Sequence, residues 1–354
     1  MSALRVAFRA DGHDAIGAGH IARCLSLACA FGEIGCHPTF VGVHAGLAAW
    51  MLERAGMQSL PPASGEPAGV ARASFDAAVI DSYELPSIEI CELARELPLA
   101  TLAEANRCSD TGVLVDYHLD RGGEQPGKRL LPGPTYAPID PIFAKLRRAT
   151  RASVECVLIT LGASAEASWP SAGATGPGVG SSPSTSVTGP GGDSSPSTSA
   201  GAPGKNLELA LTAVRDTFPD ARILTTARTP IAGSDIQQLP FPSLLSEVLD
   251  TVDVAVSAAG LSAYELACAG VPALLLPIAA NQRRVAQACA AAGMAYVVDP
   301  QTADPLSGMR EALDALRDPA ARSAISKRGT RLFDGQGAAR TARSLRERWK
   351  QFHH

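Results

Sequence analysis

Arg9-Ala10-Asp11-Gly12-His13-Asp14-Ala15-Ile16-Gly17-Ala18-Gly19-His20-Ile21-Ala22-Arg23-Cys24 is the stretch that decides how this chain is read. An apolar run at residues 4–8 precedes it and has the length and composition of a buried strand. Ile21, Cys24, Leu25, Ala28 and Phe31 follow at the spacing of one helix face. A strand, a glycine-bearing loop and a helix therefore meet here. Such a corner gathers unpaired backbone N–H groups and the positive end of the helix dipole, and both attract anions. Gly17 and Gly19 let the backbone turn and approach a ligand closely. His20, in the first turn, is placed as a general base or a phosphate-facing donor would be. Its plainer role is to cap or pack the helix. His13, His37 and His44 read as loop or surface residues. Arg9 and Asp11 have two readings, pairing with each other at the strand end or contacting substrate.

Outward from that stretch, apolar strand candidates at residues 4–8, 39–43, 77–80, 99–102 and 113–115 alternate with helical patterns. A second series follows at 156–161, 222–225, 252–257, 273–276 and 295–298. Alternation of this kind predicts parallel sheets with helices on both faces. The chain of 354 residues divides into a first domain (1–143), a basic linker (144–153) and a second domain (154–354). The fold expected is α/β, two doubly wound parallel-sheet domains facing each other across a cleft. A Ser-, Gly- and Pro-rich insert at about 166–204, with Ser-Ser-Pro-Ser-Thr-Ser twice, interrupts the second series. It lacks the apolar residues needed to offset its ordering entropy, so disorder is expected. It reads as a tolerated expansion, with a flexible lid as the other reading.

The net charge of −4 and the absence of a basic run argue against nucleic acid as a partner. The eight cysteines are scattered, with no C-x-x-C pair, so neither zinc nor a disulfide framework is indicated. Cys24 and Cys29 read as reduced core residues, which fits a cytoplasmic protein. No secretory signal is evident and no apolar run reaches transmembrane length, so no membrane insertion is expected. A monomer or weak oligomer is expected.

A second corner lies at Val252-Asp253-Val254-Ala255-Val256-Ser257-Ala258-Ala259-Gly260-Leu261-Ser262-Ala263-Tyr264-Glu265. Ser262 and Glu265 have the spacing of a capping box, which would satisfy a helix's own first N–H groups. The other reading comes from a resemblance of Gly260, Ser262 and Glu265 to MurG-like sites, which implies a helix start that meets a diphosphate and a glutamate that takes ribose hydroxyls.

The first stretch resembles the opening of the PseG family, the UDP-sugar hydrolases of pseudaminic acid biosynthesis, in Arg9, Asp11, Ile16, Gly17, Gly19, His20, Arg23, Cys24, Leu25, Leu27 and Ala28. Val79-Ile80-Asp81-Ser82-Tyr83 resembles that family's V-[IV]-D-x-Y, and residues 130–137 its L-x-G-P-x-Y-A. Gly260, Ser262 and Glu265 resemble the G-G-x-[ST]-x-x-E shared with MurG, although Ala259 replaces the first glycine. Gly270-Val271-Pro272 with Asn281-Gln282, and residues 333–340, continue the likeness. Three places depart from it: residues 102–105, His118 in Asp116-Tyr117-His118, and residues 162–165.

The resemblance implies a GT-B fold and hydrolysis of a nucleotide-activated amino sugar at its anomeric carbon, with inversion. It assigns His20, Asp11 and Tyr83 to catalysis. Substrate contacts fall to Arg9, Gly17, Gly19, Arg23, Asp81, Gly162, Ala259, Gly260, Leu261, Ser262, Glu265, Asn281 and Gln282. A neutral imidazole accepts a proton from water, and Asp11 or Asp14 would orient it. No metal and no cofactor are expected, and the partner is a small nucleotide sugar. Two other readings stand beside hydrolysis. One is a MurG-like glycosyltransferase, with Leu47, Trp50 and Met51 as a small apolar surface. The other is a non-catalytic nucleotide-sugar binder.

Overall fold

The computed structural model describes residues 3–13, 17–102, 112–162, 203–228, 230–231, 233 and 235–350. The insert and Asp14 lie outside them, except that Pro203 and Gly204 already belong to a helix.

Seven strands build the first sheet. They are β1 (Arg5–Ala10), β2 (His37–Val41), β3 (Ser59–Leu60), β4 (Ala77–Asp81), β5 (Leu99–Leu102), β6 (Val113–Asp116) and β7 (Leu130–Pro132). Their order is β3-β2-β1-β4-β5-β6-β7, every pair parallel. Helices α1 (Gly19–Glu33), α2 (Gly46–Arg54), α3 (Ser87–Glu96) and the short α4 (Ile142–Lys145) accompany it. Val6, Phe8 and Val79 pack into one buried cluster while Ala7, Ala78 and Ile80 pack into another. Alternate residues thus serve opposite faces, and both faces are covered, which is why these strands read as unbroken apolar runs.

The second sheet holds β8 (Cys156–Thr160), β9 (Arg222–Thr225), β10 (Ile236–Gln238), β11 (Val254–Ala258), β12 (Ala273–Leu276) and β13 (Tyr296–Val297). Its order, again all parallel, is β10-β9-β8-β11-β12-β13. Around it run α5 (Pro203–Thr217), α6 (Leu261–Ala269), α7 (Gln282–Ala291), α8 (Pro305–Ala315), α9 (Pro319–Leu332) and α10 (Gly337–Lys350). In each sheet the strand order reverses beside the first strand, between β1 and β4 and between β8 and β11. Open α/β sheets take their ligands outside the strand ends at such switch points.

The last helix, α10, follows the second domain in the chain but lies on the first in space. Ala338, Thr341, Ala342, Leu345 and Trp349 form its buried face. Trp349 stacks on Phe31 of α1 at 5.4 Å, and Arg346 donates to the Ile34 carbonyl at 2.8 Å. Replacing a buried tryptophan of this kind by alanine costs about 3–5 kcal/mol. The crossing uses two of the sequence motifs against each other. A Cβ at Gly337 would meet the Ala137 carbonyl oxygen at 2.1 Å, so only glycine lets the chains approach there. Thr341 donates to the Tyr136 carbonyl at 3.0 Å, and Arg340 is ion-paired with Asp334. In the basic stretch at 144–153, Arg148 holds Asp253 at 2.6 Å and Arg147 donates to the carbonyls of Cys268 and Phe333.

Cys91 is disulfide-bonded, a pairing that the scattered cysteine spacing did not indicate. Cys24 is a buried free thiol as expected, whereas Cys29 is exposed.

Candidate active site

A cavity of about 560 Å³ lies between the domains and joins the two switch points. On the first-domain side, Gly17 turns the chain with a positive φ of 81° and α1 begins at Gly19. That places His20 at the cavity wall. Its Nδ1 lies 2.8 Å from Asp81 Oδ1, and Asp81 ends β4 in register with Ala10 at the end of β1. Arg23, one turn along α1, grips the same carboxylate through Nε at 2.5 Å and Nη2 at 2.8 Å. All three are buried, Asp81 completely. Burial alone would raise the Asp81 carboxyl, but Arg23 and His20 outweigh it and hold the group below the usual carboxylate range. Asp81 is therefore ionised and can only accept. Arg23 Nη2 also lies 2.9 Å from His20 Nδ1; where Nδ1 donates its proton to the ionised Asp81, Nε2 is the lone-pair nitrogen. Tyr83 sets its ring edge-on against the imidazole, with centroids 4.6 Å apart.

This geometry corrects the partner expected for His20. Asp11 pairs with Arg9 at 2.7 Å and accepts from the Val43 N–H at 2.8 Å. Arg9 also donates to the Ala68 carbonyl at 2.8 Å. Neither lines the cavity, so the pair ties the end of β1 to neighbouring loops. Arg23 lines the cavity, but its guanidinium is committed to Asp81. Asp81, assigned to substrate, instead orients the histidine. His44 uses both ring nitrogens structurally, facing Ser59 Oγ at 2.7 Å and the Ala10 carbonyl at 2.9 Å.

On the second-domain side, Gly162, Ala259, Gly260, Leu261, Ser262, Glu265, Asn281 and Gln282 all line the same cavity. Helix α6 takes Gly260 as its N-cap and has no side-chain cap. Ser262 thus stands inside the first turn and forms no capping box with Glu265. Glu265 accepts no hydrogen bond among the described residues and projects to the cavity wall. Burial, with the charge of Asp140 adding, pushes its carboxyl up to about 7. A Cβ added at Gly260 would meet nothing within 4 Å, so the helix start is open to close approach. Ala259 keeps an ordinary φ, and its replacement of glycine strains nothing. Asn281 spends no side-chain bond on capping α7, while Gln282 holds the Ile278 N–H at 3.0 Å.

Several lining residues escaped the sequence reading. Leu25 and Cys29 of α1 and Ile142 and Phe143 of α4 join Leu47 and Met51 in an apolar wall on the first domain. Trp50 is not part of it, since Arg54 lies over its ring at 5.2 Å. Thr160, Thr226 and Arg228 line the second-domain side. Their positions at the ends of β8 and β9 were the available signal. Among the described residues no group of three His, Cys, Asp or Glu side chains could hold a metal ion. No helix there is long and apolar enough to cross a membrane.

A second histidine repeats the His20 chemistry away from the cavity. His118 Nδ1 faces Asp116 Oδ1 at 2.8 Å, and Arg121 Nε donates to Asp116 Oδ2 at 3.1 Å. Asp116 ends β6 as Asp81 ends β4.

Neither a protein-family model nor a curated protein matches the chain. Solved structures do match it over nearly its whole length. MurG of Acinetobacter baumannii is 15% identical, with 97% of this chain and 99% of that one covered and a TM-score of 0.60. CalG4, the calicheamicin glycosyltransferase, is 15% identical over 99% and 100%, with a TM-score of 0.62. A putative UDP-N-acetylglucosamine 2-epimerase from Listeria monocytogenes is 10% identical over 99% and 97%, with a TM-score of 0.60. The chain has the GT-B fold. At these identities the likeness carries the fold, and the reaction rests on the site.

Proposed function

We propose that the chain is an enzyme acting on a nucleotide-activated sugar. His20 takes a proton from an oxygen nucleophile that attacks the anomeric carbon, and the nucleoside diphosphate departs at the start of α6. The observation that carries this reading is one cavity lined by a histidine that Asp81 orients, by an open helix start and by Glu265, which accepts no hydrogen bond among the described residues. A diphosphate leaving group calls for backbone N–H donors, and a ribose diol for a bidentate carboxylate.

The nucleophile favoured is the hydroxyl of an organic acceptor, making the reaction glycosyl transfer. The apolar wall of Leu25, Leu47, Met51, Ile142 and Phe143 supports it, because water needs no such surface. The solved structures of like fold include named glycosyltransferases, which supports the same reading. Hydrolysis with inversion is the second reading, favoured by the resemblance of the first stretch and of Asp81-Ser82-Tyr83 to the PseG hydrolases. Incubation with UDP-, dTDP-, GDP- and CMP-linked sugars separates them. Free sugar released without an acceptor establishes hydrolysis. Nucleotide release that requires an added hydroxylated acceptor establishes transfer. Failure to bind or turn over any of these donors overturns the reading altogether.

A further inference from the structure

We propose that the acceptor is an alcohol or phenol carried on a compact hydrocarbon body, its hydroxyl set at His20 and its body along a groove between α1 and α2. This acceptor class rests on the glycosyl-transfer reading above. His20 is 4% exposed, and its Nε2 makes no hydrogen bond among the described residues, so an entering hydroxyl meets an uncommitted nitrogen. From His20 the cavity continues along α1, where Ala22, Leu25, Ser26 and Cys29 line it. Spacings of three and four place these residues on one helix face. At about 1.5 Å per residue, Cys29 stands about 13 Å beyond His20 along the axis. Helix α1 packs against α2, whose Leu47, Met51 and Arg54 line the same cavity at spacings of four and three. Two helix stripes thus form an elongated groove that begins at the histidine.

The side chains of this groove select its occupant. A sugar acceptor carries a hydroxyl on most of its carbons, and each one costs free energy on leaving water unless it finds a partner. Along α1 and α2 the polar side chains are already engaged. Arg23 grips Asp81, Ser26 donates to the Ala22 carbonyl at 3.1 Å, and Arg54 holds Glu247 at 2.8 Å. A hydrocarbon body instead covers Leu25, Leu47 and Met51, all three only partly buried, and gains in proportion to the apolar area removed from water. The far end is bounded as well. The Arg54–Glu247 pair ties the last turn of α2 to the second domain, so a long alkyl chain would have to pass two charges. A ring system that ends short of that pair meets neither.

Cys29 supplies a readout that needs no turnover, because it is an exposed free thiol at the groove's end whereas Cys24, Cys36, Cys156, Cys268 and Cys289 are buried. The test titrates the wild-type protein with 4-methylumbelliferone, a compact phenol, with 1-decanol and with methyl glucoside, and follows N-ethylmaleimide labelling of Cys29 by mass spectrometry. The phenol should bind saturably and slow labelling several-fold, decanol should do so more weakly, and methyl glucoside should do neither. Met51→Gln, which sets an amide among hydrocarbon, should weaken phenol binding roughly 5- to 20-fold and leave UDP affinity unchanged. Cys29→Trp, a change at an exposed position that fills the groove's end, should weaken the phenol in the same way and decides if Met51→Gln fails to fold. Equal phenol affinity in folded wild type and variants overturns the proposal, as does protection by methyl glucoside equal to that by the phenol. Equal loss for UDP and phenol also overturns it, since a purely structural role predicts that. A protein that binds UDP but not the phenol loses this acceptor class and keeps the nucleotide-sugar reading. Phenol binding in a protein that binds none of UDP, dTDP or GDP sinks the nucleotide-sugar reading and the acceptor role with it.

Discussion

At the ends of β1 and β4, His20, Arg23 and Asp81 satisfy one another. At the ends of β8 and β11, Glu265 has no hydrogen-bond partner among the described residues, and the first two N–H groups of α6, at Leu261 and Ser262, lack intrahelical acceptors, whereas Ala263 donates to the Gly260 carbonyl. Both corners follow one plan of strand, turn and helix at a switch point. The first is complete without a ligand, because a buried ion pair with its hydrogen bonds made keeps its geometry on its own. The second carries an unmet cost, a carboxyl pushed up to about 7 by burial. A ligand offering hydroxyl donors to the carboxyl would relieve it. In the proposed reading, a site built this way holds its chemical group in place before binding and reserves its binding energy for the nucleotide.

The largest expected effect breaks the first corner. In His20→Asn, turnover should fall by about 10²–10⁴, the usual cost of a general base. UDP affinity should survive, because the proposed nucleotide contacts belong to the second corner. Near-normal turnover in a folded His20→Asn protein would remove the base from this account.

Asp81→Asn attacks the same corner through stability. It leaves the buried Arg23 without a counter-charge, a change that costs about 3–5 kcal/mol in comparable cases. The pH dependence has a definite sign. A carboxyl held below its ordinary value stabilises the fold above its unfolded pKa, and that contribution is lost as pH falls through the folded value. Wild-type melting temperature should therefore drop on acidification below about pH 4, the usual aspartate range, and drop less in the variant. Parallel melting curves for the two proteins would show that Asp81 carries no such linkage.

Glu265→Gln tests the second corner and should behave in the opposite way. UDP affinity should weaken about 10- to 100-fold as a charge-assisted contact is lost, with no loss of thermal stability in the absence of nucleotide. Because the folded carboxyl holds its proton up to about 7, ionising it disfavours the unliganded fold as pH rises from 4.5 through that value. Binding that needs the ionised form should tighten over the same rise and release a proton, both effects absent in the variant. A variant that melts earlier yet binds UDP normally would give Glu265 a structural role.

Most of this layout was legible from residue order. Apolar runs at 77–80, 99–102, 222–225 and 273–276 became strands because both faces of a parallel sheet are covered, which leaves a plain sequence signal. β3, β7 and β10, two or three residues each at sheet edges or beside them, are too short to show any period. The partner of His20 was missed for a different reason. Asp11 and Asp14 are near in sequence, but switch-point geometry sets the end of β4 beside the end of β1, so Asp81 arrives from 61 residues away. The capping box failed at its cap: the N-cap of α6 is Gly260, two residues before Ser262, and that shift turns a capping glutamate into a wall residue. The apolar wall was only half visible, because Ile142 and Phe143 come from a four-residue helix that no periodicity announces.

The smallest effect on turnover belongs to His118→Asn, and it sharpens the comparison from outside the cavity. His118, Asp116 and Arg121 repeat the residue types and the 2.8 Å histidine–carboxylate contact of the His20 cluster. If that arrangement alone made a base, both histidines would matter. Only His20 lines the cavity, so His118→Asn should leave turnover within about two-fold, an effect of no more than roughly 0.4 kcal/mol. Asparagine can still donate to Asp116, which also keeps Arg121, so the carboxylate stays partnered. What is lost is the stacking of the imidazole on Tyr117, centroids 5.4 Å apart, worth about 0.5–1.5 kcal/mol. The readout is a modest fall in melting temperature with unchanged turnover per folded molecule. A collapse of turnover in a folded His118→Asn protein would show that the chemistry extends to the β6 corner, and that proximity to the cavity is the wrong criterion for choosing between the two histidines.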